Sequence, residues 1–81
     1  MIEKGLYTVE SRFNYCGLQY EIGELYVLRY YECFDAFELV CYKNNIQIDA
    51  KQLFDNNEEY IIKNHLRKLT EEELVIKDII E

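Results

Sequence analysis

Residues 6–13 alternate between apolar and polar sides. Tyr7, Val9, Ser11 and Phe13 fall on one side of an extended chain, and Thr8, Glu10 and Arg12 on the other. A period of two predicts a strand with one buried face. Asn14 to Gly17 reads as a turn, with Gly17 free to take positive φ. Gln19 to Ile22 is a short extended piece, and Gly23-Glu24 turns the chain again. Leu25 to Phe34 is a longer strand with Tyr26, Leu28, Tyr30 and Phe34 on one face. Asp35 marks the next turn, and Ala36 to Tyr42 follows as a strand with Phe37, Leu39 and Cys41 on one face. Asn44-Asn45 signals a tight turn into a short partner strand, Ile46 to Ile48. The predicted result is an antiparallel meander over residues 6–48. Its expected core is Val9, Phe13, Leu28, Phe37, Leu39 and Ile48.

The period then changes. Phe54, Glu58, Ile61, Ile62, His65, Leu66 and Leu69 recur at three- and four-residue spacing, one face of a helix. Asp55, Asn56 or Asn57 caps its start, and Lys63, Arg67 and Lys68 lie towards its negative end. Thr70 with Glu73 forms a capping box that opens a second helix, with Leu74, Val75, Ile79 and Ile80 as its apolar stripe. Glu73 and Lys77 stand at i and i+4 in the favourable order. Tyr60 to Leu66 also fits a last strand, with Tyr60, Ile62 and Leu66 on one face; the helix is the preferred reading. The expected fold class is therefore α+β: a small antiparallel β-meander or SH3-like barrel over 6–48, then two short C-terminal helices over 55–80. With 81 residues, all of this belongs to one domain.

Composition narrows the function. Nine Lys and Arg stand against 16 Asp and Glu, a formal net charge of −7. Residues 1–41 hold 7 acids and 3 bases, and residues 42–81 hold 9 acids and 6 bases, so both halves are acidic. That balance disfavours phosphate backbones and anionic membranes as partners. No apolar run is long enough to span a bilayer, and Met1-Ile2-Glu3-Lys4 lacks the apolar stretch of a secretory signal. The three cysteines, Cys16, Cys33 and Cys41, are odd in number and form no C-x-x-C pair. Reduced thiols in a cytoplasm are expected, with Cys33 and Cys41 as small buried hydrophobes on neighbouring strands.

Tyr20-Glu21-Ile22-Gly23-Glu24-Leu25-Tyr26-Val27-Leu28 carries a Y-x-x-G-x-x-Y-x-V pattern. Phe37-Glu38-Leu39, Asn44-Asn45 and Ile46-Gln47-Ile48 follow it in order. Over about residues 5–54 the chain resembles small SH3-like barrel proteins, many of them encoded by phages and prophages of low-GC bacteria. The resemblance implies a binding role and no catalytic residues.

The inventory agrees with a non-catalytic chain. One Ser (Ser11) and one His (His65) leave little for nucleophilic catalysis, and a Cys–His dyad has no local signature. A zinc site of Cys16, Cys33, Cys41 and His65 lacks a close cysteine pair. Asp49 to Tyr60 fails as a calcium loop, because Lys51 and Leu53 stand where oxygen ligands are needed. No metal and no cofactor are expected. The candidate partner-binding residues are Glu58, Glu59, Glu71 and Glu72, which would form one acidic surface if the two helices pack side by side, with Tyr30 and Tyr31 as anchors. The function expected is an acidic protein-interaction module. Its sharpest form is a phage or mobile-element inhibitor, of anti-CRISPR type, that occupies a basic surface of a host nucleic-acid enzyme. The alternative is a small SH3-like nucleic-acid-binding or adaptor protein, for which Lys63, Arg67 and Lys68 would be the contact.

Overall fold

A computed structural model describes residues 2–43 and 46–77. Asn44-Asn45, Ile79 and Ile80, singled out above, lie outside the described residues. Among these residues seven strands form: β1 Gly5–Val9, β2 Phe13–Tyr15, β3 Leu18–Tyr20, β4 Leu25–Tyr31, β5 Ala36–Lys43, β6 Ile46–Asp55 and β7 Leu66–Lys68. A 3₁₀ turn, Asn56–Glu58, leads into helix α1, Glu59–His65, and helix α2 spans Glu71–Ile76. Five strands make one antiparallel sheet in the order β6-β5-β4-β1-β7, and β2-β3 is a separate hairpin. The molecule is thus a small, mostly β, antiparallel domain with two short helices, and neither sheet closes on itself.

Pairing of β4 with β5 sets the two faces. Tyr26, Leu28 and Tyr30 oppose Cys41, Leu39 and Phe37 on one face, and Leu25 and Val27 oppose Tyr42 and Val40 on the other. The first face carries the main core, where Tyr7, Val9, Tyr26, Leu28, Phe37, Leu39, Phe54 and Leu66 meet Phe13 and Tyr20 of the hairpin and Ile62 of α1. The reverse face carries a smaller core, in which Leu6 and Leu69 meet Leu25, Val27, Tyr42 and Leu74 of α2. Of the six predicted core residues, Val9, Phe13, Leu28, Phe37 and Leu39 are buried.

The predicted elements needed several corrections. Ile48 is 50% exposed, because β6 shifts register twice against β5, beside Val40, and the alternation read from Ile46-Gln47-Ile48 is not kept. The strand β6 runs on to Asp55, so Phe54 is a core strand residue and not the first position of a helix. β1 ends at Val9 because the next two amides, of Glu10 and Ser11, donate to the carbonyl of His65 instead of a ladder. β4 ends at Tyr31, leaving Phe34 in a turn and 76% exposed.

The largest correction concerns the region expected to be helical throughout. Residues 59–65 are helix, as preferred, but the chain then extends as β7 between the two helices. β7 completes the edge of β1, pairing Leu66 with Val9 and Lys68 with Tyr7. An open β1 edge would leave backbone groups unpaired. Leu66 and Leu69 are three apart, so an extended chain sends them to opposite faces, and each is buried in a different core.

The hairpin turn follows its residues. Cys16 (φ 51°) and Gly17 (φ 81°) both take positive φ between Tyr15 and its partner Leu18. A two-residue turn of that kind matches strand twist. The hairpin is fixed to the sheet by rings: Phe13 stacks on Tyr20 at 4.4 Å and on His65 at 4.5 Å, and Tyr15 stacks on Phe54 at 4.6 Å. Lys51 Nζ sits 4.1 Å from the centre of the Tyr20 ring and donates to the Gln19 carbonyl and the Tyr26 hydroxyl, both at 2.8 Å. The Tyr20 hydroxyl is buried and has no hydrogen-bond partner among the described residues.

Three substitutions check this packing by urea denaturation. Leu39→Ala, at 0% exposure, is expected to cost about 2–5 kcal/mol. Ile48→Ala is expected to stay within about 0.5 kcal/mol of the parent. Tyr20→Phe removes an unpartnered buried hydroxyl and is expected to leave stability unchanged or higher.

Candidate partner-binding surfaces

The predicted site residues do not form one surface. α1 contributes Ile62 to the main core, whereas α2 places Leu74 against the reverse-face core, so the helices cover different faces of the sheet. Glu58 and Glu59 are therefore apart in packing from Glu71 and Glu72. Glu58 is also committed internally: its carboxylate accepts from the Tyr15 hydroxyl and from the Asp55 amide at 2.9 Å. The Tyr15 hydroxyl holds its proton more tightly than usual, chiefly because of that bond. Glu59 meets Lys63 at 3.5 Å in an i, i+4 pair. Tyr30 and Tyr31 point to opposite faces, as adjacent strand residues must. Their hydroxyls donate to Asp35 Oδ1 at 2.5 Å and to Glu38 Oε1 at 2.7 Å.

Five of the nine basic residues meet a carboxylate among the described residues. Lys63 pairs with Glu59, Arg67 with Glu73 and Glu10, and Lys68 with Glu3. Arg12 pairs with Glu21, and Lys51 lies 3.9 Å from Glu24. The Arg67–Glu73 pair is bidentate, at 2.6 and 2.9 Å. It takes the carboxylate that an i, i+4 pair with Lys77 would need. The same carboxylate closes the predicted capping box, accepting from the Thr70 amide at 3.0 Å while the Thr70 hydroxyl accepts from the Glu73 amide at 3.2 Å.

One side-chain contact escaped the sequence reading. Ser11 Oγ and His65 Nδ1, from the chain's one serine and one histidine, lie 2.8 Å apart. With the His65 carbonyl receiving the Glu10 and Ser11 amides, they latch the β1–β2 connection to the end of α1. Nothing local in the sequence joins positions 54 residues apart. Cys33 is not a buried strand residue: it lies in the turn after β4 and is exposed, as is Cys16, while Cys41 is half-buried. Among the described residues no three of His, Cys, Asp and Glu gather in a way that could hold a metal ion. No helix among them is long and apolar enough to cross a membrane.

Two concave places on the described surface include predicted site residues. On α2, Glu71, Glu72, Val75 and Ile76 line a shallow cavity of about 420 Å³. Val75 is 77% exposed and Ile76 82%. Neither Glu71 nor Glu72 forms an ion pair among the described residues. The second is a groove of about 460 Å³ lined by Ile2, Glu3, Lys4, Tyr30, Phe37 and Asn56. Tyr30 thus belongs to a concave site, next to the turn that carries Glu58. Tyr31 is on the other face.

The chain matches no protein-family model, no curated protein and no solved structure.

The clasp on α2 has a pH signature. The Arg67 guanidinium, and after it the Thr70 amide, hold the Glu73 carboxyl down to about 2 from an ordinary 4.5. A carboxyl depressed in the folded state stabilises fully above its ordinary value, and the contribution is lost as pH falls through the folded value. The carboxyl carbon of Glu73, followed by NMR, is expected to titrate near pH 2. Arg67→Gln should move that midpoint upward, since it removes the largest cause.

Proposed function

We propose that this chain is a non-catalytic acidic interaction module that binds a basic surface of another protein. The observation that carries the reading is the outward face of α2. Val75 and Ile76 are 77% and 82% exposed beside two carboxylates that form no ion pair among the described residues. An exposed apolar pair flanked by like charge suits a partner that offers apolar contact within a basic surround. The internal pairing of Lys63, Arg67 and Lys68 supports a protein partner over nucleic acid, because those cations are already matched by carboxylates.

In its sharper form the module is an inhibitor, of the kind phages direct at host defence, occupying the nucleic-acid surface of a host enzyme in the cytoplasm. Net charge −7 supports this form, since such a surface is built for phosphates. The SH3-like reading of the fold belongs to the same proposal. What favours it is the β4-β5-β6 meander beside β1, with β7 returning to the far edge of β1 after the 3₁₀ turn and helix α1.

The test begins by retrieving the partner from host extract on the immobilised chain and measuring association against salt. Association is expected to slow as salt rises, over a screening length of about 8–10 Å. Glu71→Lys with Glu72→Lys should slow it by about tenfold or more. Val75→Ala with Ile76→Ala should act mainly on dissociation. A partner whose rates ignore both pairs of substitutions would contradict the proposal. Tight binding of duplex or single-stranded nucleic acid would replace it with the nucleic-acid reading.

A further inference from the structure

The groove beside Tyr30 has an apolar floor and a charged rim. Phe37 is 2% exposed and Ile2 9%, so the floor is fixed by the main core. The Tyr30 ring is tilted against Phe37 with centroids 5.1 Å apart and is half-buried. Its hydroxyl donates to Asp35 Oδ1, which holds that carboxylate beside the ring. Oδ2 accepts no hydrogen bond among the described residues. The Asn56 amide donates to the Asp35 carbonyl at 3.1 Å and so ties the turn at residues 32–35 to the 3₁₀ turn. The Glu3 carboxylate is taken by Lys68 at 2.8 Å. Beside the lining, at the Tyr30 end, stand the carboxylates of Asp35, bonded to the Tyr30 hydroxyl, and of Glu32; in the lining itself Lys4 is the cation with no ion pair among the described residues.

We propose that this groove takes the side chain of an arginine presented by the basic protein partner, a step that rests on the acidic-module reading and names its chemistry. Each part of an arginine meets a matching part of the site. The three-carbon stem lies on Ile2 and Phe37. The guanidinium plane stacks on the Tyr30 ring, and its N–H groups donate to the open oxygen of Asp35. Lysine fits less well, because its compact ammonium is strongly hydrated and cannot stack. The raised pKa of the Tyr30 hydroxyl, caused first by its bond to Asp35 and also by burial and the charges of Asp35 and Glu32, is what a negative rim produces.

The site can be tested without the partner. The isotope-labelled full chain is titrated with N-acetyl-arginine amide, and with its lysine and norleucine counterparts, while backbone and aromatic signals are followed by NMR. Saturable shifts are expected at Tyr30, Phe37 and Asn56, with affinity in the order arginine, lysine, norleucine. Asp35 holds φ at 49°, a conformation Asn also accepts, so Asp35→Asn removes the charge and keeps the turn. That variant should weaken arginine binding by about fivefold or more. Lys4→Gln should tighten it, since it removes the opposing charge. The proposal is overturned by shifts outside the groove, by equal response to norleucine, or by the two variants moving affinity in the opposite senses, which would mark an anion site. Glu71→Lys with Glu72→Lys should leave the arginine titration unchanged. A failed titration would therefore sink the groove alone, and the face of α2 would stand or fall on its own kinetics.

Discussion

The Tyr20 ring is the contact on which the rest of the domain depends. It is fully buried, stacked on Phe13, tilted against Tyr26 and Phe54 at 5.4 and 6.5 Å, and covered by the Lys51 ammonium. A two-stranded hairpin is marginal in water by itself. Here β2-β3 persists because its rings complete the core of the larger sheet. Lys51 contributes its charge to two ring faces and spends its donors on Gln19 and Tyr26, so the cost of partly desolvating an ammonium is offset. Tyr26 then passes the contact on, its hydroxyl donating to Glu24 at 2.8 Å. Through Phe13 the stack reaches His65, and through His65 the end of α1.

From this arrangement the surface follows. With the hairpin and α1 closing one face, β7 must leave the helix to complete β1. The chain then crosses to the other face, where α2 is held by Thr70, Glu73 and Arg67. Holding α2 at its first turn leaves Leu74 inward and Val75 and Ile76 outward. Arg67 and Lys68 are taken up in the clasp and in pairs along β7. Carboxylates without an ion pair among the described residues therefore stand at Glu71 and Glu72 on α2, and at Asp35, which the Tyr30 hydroxyl holds beside the groove.

Much of this was legible along the chain. Period two marked β1, β4 and β5, with Leu28, Phe37 and Leu39 on the inner face. The spacing of Thr70 and Glu73 marked α2. What was not legible depended on distant partners. Leu66 to Leu69 has a helical spacing, and only the open edge of β1 makes it extended. The double register shift in β6 leaves no local mark, so Ile48 was read inward. The Ser11–His65 contact and the Lys51 position join segments that no periodicity connects. Of the candidate residues, Tyr30, Glu71 and Glu72 lie at concave places. That they divide between two faces follows from where the helices pack.

The most direct test of the central contact is amide hydrogen exchange on Tyr20→Leu, which keeps an apolar side chain and removes the ring. The account predicts that amides of residues 13–20 lose protection far more than those of β4 and β5, because the hairpin is released while the sheet persists. Uniform loss across all strands, or retained protection in the hairpin, would contradict the claim that Tyr20 holds it in place.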